Sequence, residues 1–452
     1  MRKSVHNIIL ARNNIKILLI YSIVVFFCFS FGYMGLSYCE NIPTYLLFLE
    51  YFFAVLYASL LYFFSLSHKK IGYGSFFVVF FLTLLCSVLI RFLFIEYTGD
   101  IFQDAADSYF YDEESSKSVL LGYDYIQHLR SVDRDIISGL NIDDYGFLSV
   151  EFFVYRLFGV DAGRWVMLIL NSLCVAISSQ LMWLLLVKMN YQRVVVSFCY
   201  SVFAFFAFFA VTAAVGLKEN IFVLLVSISL YAIYRHKCNG GWVMMTIAVT
   251  AIASTFFFRT AIGVMLIIVF ILSEVITKKN HRSVIITSLF LGLIILSFFT
   301  LIFRNIFGIG FDHIINVSHY RMGGEAFLNW AVQLLSAMIG PFPNYIKAVQ
   351  YGIISTYSLQ LKCLLSYIVL MSIWDIIKNA EFKNYWILCY YVLGIIMLTI
   401  AAVSLDMRYH VTFFPAFVLL LANSLDKVNL KRPLFFVYTL LLSIIIIVYN
   451  IR

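Results

Sequence analysis

Residues 74–96 read GSFFVVFFLTLLCSVLIRFLFIE. A helix crosses the hydrocarbon core of a bilayer in about 20 residues. This stretch supplies that length with only Arg91 and Glu96 charged, both towards its C-terminal end. In lipid every backbone polar group must be paired within the segment, so such a run reads as a transmembrane helix.

The rest of the chain repeats the pattern. Of 452 residues, 63% are hydrophobic and 12% charged, where a soluble domain carries roughly 25% charged residues. That is too little charge for a water-facing globular surface, and an apolar, aromatic-rich composition with five prolines excludes a disordered or collagenous chain. Spans are expected near 17–38, 44–67, 74–96, 165–187, 194–216, 220–235, 242–258, 260–277, 283–304, 356–377, 385–404, 411–425 and 433–450. The expected fold is therefore all-α: one polytopic transmembrane domain over 1–452, with about 13 transmembrane helices. The first apolar run exceeds the roughly 7–15 residues of a signal-peptide core, so it reads as a signal anchor. The eight cysteines show no CxxC and no metal-ligand spacing, and read as small apolar packing residues.

Charge distribution gives the orientation. The net charge of +8 does not form a nucleic-acid face, because basic residues fall in small groups at the ends of apolar runs. These groups are Arg2/Lys3/Arg12/Lys16, Lys69/Lys70, Lys188/Arg193, Arg235/Lys237, Lys278/Lys279/Arg282, Lys378/Lys383 and Lys427/Lys431/Arg432. Under the expected spans all seven lie on one side, which the positive-inside rule makes cytoplasmic, with the N-terminus there too. The opposite side takes the acidic loop 97–147, whose apolar spacing suits short amphipathic helices on the membrane surface. A second outer segment, 305–355, ends in Gly340-Pro341-Phe342-Pro343-Asn344, where the prolines forbid regular helix.

Charge at the edge of the hydrocarbon costs a few kcal/mol or more and marks candidate function. Lys218, Glu219, Arg259, Asp406, Arg408 and His410, with Arg91, Glu96 and Arg164, all fall at the outer ends of their spans. Taken singly, each is explained by a snorkelling side chain or a local ion pair. Arg259 is not, since it interrupts an apolar run with no acidic neighbour in sequence. Arginine offers a planar, permanently charged fork for phosphate. A loop carboxylate supplies a general base, and fixed cations stabilise a departing phosphate. Together these parts describe sugar transfer from a lipid-phosphate donor. The Asp104/Asp107 pair also has the chemistry to hold Mg²⁺ or Mn²⁺, although no cofactor is required and no metal site is expected. The histidines read as hydrogen-bonding groups.

These elements resemble those of GT-C-type membrane glycosyltransferases and the polytopic polymerases of bacterial surface polysaccharide (O-antigen and capsule). The resemblance runs over about 100–425. It rests on Asp104-Ala105-Ala106-Asp107-Ser108-Tyr109, Tyr155-Arg156-Leu157-Phe158-Gly159, Leu170-Asn171-Ser172-Leu173, Gly216-Leu217-Lys218-Glu219, Arg259, Gly340-Pro341-Phe342-Pro343, and Met407-Arg408-Tyr409-His410 before Pro415. It implies a polyprenyl (undecaprenyl) phosphate-linked saccharide donor and an acceptor glycan at the outer face of the bacterial inner membrane. Asp104 or Asp107 would be the base. Lys218, Arg259 and Arg408 would meet the lipid phosphate, with Glu219, His410 and Arg321 in support. A transporter, such as a lipid-linked oligosaccharide flippase, is the alternative reading. It calls for polar groups near the bilayer midplane and often for internal repeats. Only Glu50, Asn171 and Gln180 are scattered there, and no repeat is visible.

Overall fold

The computed structural model describes residues 2–37, 44–66, 74–99, 101, 106–132, 145–275, 316, 318–321, 327–345, 348–379 and 385–451. Among these residues the chain is helical, with no strand. Among the described residues, seven helices are long and apolar enough to cross a membrane: Asn7–Ser30, Gly74–Glu96, Val160–Lys188, Arg193–Val215, Glu219–Asn239, Ser355–Asn379 and Pro433–Ile451. Shorter apolar helices occupy Tyr51–Ser65, Trp242–Phe258, Thr260–Glu274, Tyr385–Ile400 and Phe414–Ser424. The chain is thus a helical, membrane-embedded protein. The expected span 283–304, and residues 305–315, 317, 322–326 and 346–347 of the segment 305–355, lie outside the described residues.

In chain order the helices are α1 (Arg2–Ser37), α2 (Thr44–Leu66), α3 (Gly74–Thr98), α4 (Ala106–Leu120), α5 (Tyr125–Ser131), α6 (Tyr145–Phe158), α7 (Val160–Lys188), α8 (Arg193–Ala204) and α9 (Phe208–Val215). They continue with α10 (Glu219–Asn239), α11 (Trp242–Phe258), α12 (Thr260–Val275), α13 (Phe327–Met338), α14 (Ala348–Asn379), α15 (Tyr385–Ile400), α16 (Met407–Val411), α17 (Phe414–Ser424) and α18 (Pro433–Ile451). The span Arg193–Val215 is 94% buried and Pro433–Ile451 only 22%. A helix apolar all round belongs in an interior, so α8–α9 form the centre and α18 the rim. Helices α2, α3, α7, α14 and α17 pack around that centre.

Three breaks in the helical path matter for the site. Helix α8 stops at Phe205, and the freed amide of Ala207 is met by the Ser358 hydroxyl of α14 at 2.9 Å, as buried backbone requires. Helix α9 ends at Gly216, whose φ of 75° suits glycine. The Leu217 amide then reaches back to the Thr212 carbonyl at 3.0 Å. That tight corner sets Lys218 before α10 and Glu219 in its first turn. The third break is Arg259, extended (φ −163°, ψ 106°) between α11 and α12. Trp242–Val275 is therefore two helices hinged at an arginine.

The early polar region folds into α4 and α5, followed by α6, with α4 packed on α6 and α6 on α7 and α11. Gly146 makes the α6–α11 approach possible, since a Cβ there would sit 2.7 Å from the Phe258 ring. The turn at 341–344 is irregular, as its prolines dictate. Residues 327–338 just before it are the helix α13.

Candidate functional site

Three separate segments converge beside α4. From α16, the Arg408 guanidinium donates from Nε to Asp406 at 2.8 Å and from Nη1 to Asp107 of α4 at 3.1 Å. Asp406 also caps α16, accepting from the Arg408 amide at 2.9 Å, the usual task of an N-cap aspartate. One turn along α4, Tyr111 accepts a hydrogen bond from Lys218 Nζ at 2.7 Å. Residues four apart share a helix face, so Asp107 and Tyr111 address Arg408 and Lys218 from one edge of α4.

Arg259 completes the group. Its guanidinium carbon lies 4.8 Å from the centre of the Tyr409 ring and 5.5 Å from that of Phe222, a cation–π arrangement that holds the fork without neutralising it. No carboxylate lies within ion-pair range of Arg259 among the described residues. Arg408 stands 5.8 Å from the same Tyr409 ring, so two arginines share one aromatic surface. Glu219 is buried, with Arg408, Arg259 and Lys218 as its charged neighbours, and its Oε2 accepts no hydrogen bond. Burial works against the charge on Arg408. Asp406, Glu219 and Asp107 outweigh it and hold the guanidinium above its ordinary value. Burial, then Asp107 and Glu219, keep the Tyr111 phenol protonated far above the usual range.

Of the sequence-derived candidates, Asp107, Lys218, Glu219, Arg259 and Arg408 thus come together. Asp104 lies outside the described residues. His410 is engaged elsewhere. It bonds Ser404 O through Nε2 at 2.7 Å and faces Lys362 Nζ through Nδ1 at 3.4 Å. A lysine only donates, so Nδ1 accepts and Nε2 carries the proton. Burial, and then Lys362, hold this imidazole well below its ordinary pKa. Arg321 donates to the Ala401 carbonyl at 3.0 Å and makes no contact with the cluster. No group of three His, Cys, Asp or Glu side chains suited to a metal occurs among the described residues.

Sequence reasoning passed over two features. Asp112, one of the acids of the 97–147 loop, is buried. It takes Arg164 in a fork (Nε 2.8 Å, Nη2 2.7 Å) and the Tyr155 hydroxyl at 2.7 Å. Arg91, 1% exposed, braces the same corner through the carbonyls of Arg164 (2.8 Å) and Ala214 (3.0 Å). This network ties α4 and α6 onto α3 and α7. Glu151 completes it from α6, four residues before Tyr155. Its place among Phe147, Leu148, Phe152, Val154 and Tyr155 was the available signal, a carboxyl on the apolar face of an amphipathic helix. The second feature is Lys362 of α14, buried, bonded to Gly340 O, and without a carboxylate partner among the described residues. It lines a small cavity with His410, Tyr391 and Phe417.

Burial, reinforced by Asp112, pushes the Glu151 carboxyl well above the ordinary carboxylate range, and Arg164 and Arg91 offset this only in part. A carboxyl whose folded pKa is raised contributes most at low pH, and that contribution is lost as pH rises towards the folded value. Glu151→Gln mimics the protonated form. Its melting temperature should therefore match the parent at acid pH and gain on it as pH increases. A variant that loses ground with rising pH would mean an ionised Glu151 paired with the arginines.

No family model, curated protein or solved structure matches the chain.

Proposed function

We propose that the protein is a membrane glycosyltransferase or polymerase that moves a sugar or oligosaccharide from a polyprenyl-phosphate-linked donor. The reading places the reaction at the outer face of the bacterial inner membrane, in O-antigen or capsule assembly. It takes the topology as about 13 spans with a cytoplasmic N-terminus. One observation carries it: Lys218, Arg259 and Arg408, from three separate segments, gather beside the carboxylates of Asp107 and Glu219 at helix ends of a membrane domain. Those cations suit a lipid phosphate, and the Arg259 fork, with no carboxylate partner among the described residues, suits it best.

In the reaction, an acceptor hydroxyl attacks the anomeric carbon of the donor. The bond from that carbon to the phosphate oxygen breaks, and the phosphate leaves with the electron pair. Arg259 and Arg408 meet the developing charge. Asp107 or Asp104 takes the hydroxyl proton.

Lys362 favours a second reading. A buried cation with no carboxylate partner among the described residues, within a helix long enough to span, is a common mark of a transport pathway. The glycan of a deletion strain separates the two. Short, single-repeat chains would mean a polymerase, and a missing side branch a transferase. Lipid-linked intermediates that accumulate on the cytoplasmic side would mean a flippase. Periplasmic labelling should reach Ser116→Cys and miss Asn280→Cys, and the reverse would remove the proposed site from the outer face.

A further inference from the structure

The cluster holds three formal cations (Lys218, Arg259, Arg408) against three carboxylates (Glu219, Asp406, Asp107). The carboxylates are not equivalent. Glu219 is buried at the first turn of α10, and Asp406 is locked twice, by Nε of Arg408 and as the cap of α16. The side chain of Asp107 is 48% exposed and, among the described residues, makes a single ion pair, through one oxygen, to Nη1 of Arg408. A half-exposed pair of this kind is weak. Beside it stands Arg259, held by two rings and paired with no carboxylate among the described residues.

We propose that Nη1 of Arg408 is an anion seat that Asp107 occupies in the resting protein, and that a phosphate group entering between Arg259 and Arg408 displaces this carboxylate. The inference rests on the phosphate-binding reading above and adds the order of events. With the phosphate absent, Asp107 is tied to an arginine and is a poor proton acceptor. With the phosphate seated, the Asp107 carboxylate is released next to the donor, with its charge unspent. Binding of the donor thereby readies the carboxylate. The guanidinium edge keeps an anionic partner throughout, a phosphate oxygen taking the place of the carboxylate. Lys218 stays on Tyr111 throughout, so α4 keeps one tether while the other opens.

The shared chemistry is a phosphate group, from a lipid headgroup or from free phosphate. The test is equilibrium binding of polyprenyl phosphate in detergent micelles, and separately of inorganic phosphate, to the purified full-length protein and its variants. Asp107→Asn should bind about threefold to fivefold tighter than the parent, the size expected for removal of a partly exposed competing pair. Arg408→Gln should bind more weakly, and Asp107→Asn should give no gain in the Arg408→Gln background. Asp107→Ala must show the same gain, so the result does not hang on one substitution folding well. A gain with both ligands assigns the exchange to the phosphate group alone, and a gain with the lipid only assigns it to a headgroup. Unchanged or weaker binding by both Asp107 variants, with Arg408→Gln still impaired, would overturn the exchange and leave the phosphate site standing. If neither Arg408→Gln nor Arg259→Gln alters binding, the phosphate reading itself fails.

Discussion

Asp107→Asn will cut turnover by about 10²–10⁴-fold, the usual contribution of a general base, without loss of donor binding. The carboxylate stands at the start of α4, bonded at 3.1 Å to the arginine assigned to the phosphate. A base must sit within hydrogen-bond reach of the proton it takes, and that proton is on the hydroxyl approaching the sugar next to that phosphate. Asparagine keeps the shape and loses the basicity. A fall in kcat with unchanged or tighter donor binding separates a lost base from a damaged site. Asp104→Asn, made in parallel, decides between the two acids. If the larger loss follows Asp104, that residue is the base and Asp107 only guards the arginine. Losses from both, rescued by added Mg²⁺ or Mn²⁺, would point to a metal held by the pair. Normal product from both variants and their double would move the base elsewhere, with Glu219 the next candidate.

Arg259→Ala will abolish detectable transfer while membrane expression stays normal. Loss of one well-placed donor to a developing oxyanion typically costs about 10²–10³-fold. Arg259 also supplies the one fork in the cluster with no carboxylate partner among the described residues. Arg259→Lys keeps the charge and the ring contact but loses the planar pair of donors, so it should fall between the parent and alanine. Thermal melts of both variants check that the α11–α12 hinge survives. Full activity in both would leave Arg259 as a cation that merely sits on two rings.

The membrane class was legible because the lipid constraint is written into every span, as in 74–96. Helix ends were legible where a special residue forced them: Gly216 with its positive φ, and the prolines at 341 and 343. The grouping of Lys218, Glu219, Arg259 and Arg408 was readable as a shared edge, because charges that belong to no ordinary flank are costly and few. Their contacts were not readable. Nothing local tells that Asp107 reaches a residue 301 positions away. The burial of Asp112 was hidden for the same reason, since its partners Tyr155 and Arg164 lie on other helices. Lys362 was passed over because the residues that surround it, Gly340, His410 and Phe417, meet only in three dimensions.

Helix α4 makes three attachments within six residues. Asp107 reaches α16, Tyr111 the corner before α10, and Asp112 the arginine of α7. Each residue of an α-helix turns the next by about 100°. Deleting or inserting a single residue between 107 and 112 would swing one set of attachments away from the other, whatever amino acid was added or lost. Related chains that keep this arrangement should therefore hold the spacing from 107 to 112 fixed. They remain free to vary in length after 120, where the helix has made its last connection to the bundle's charged end.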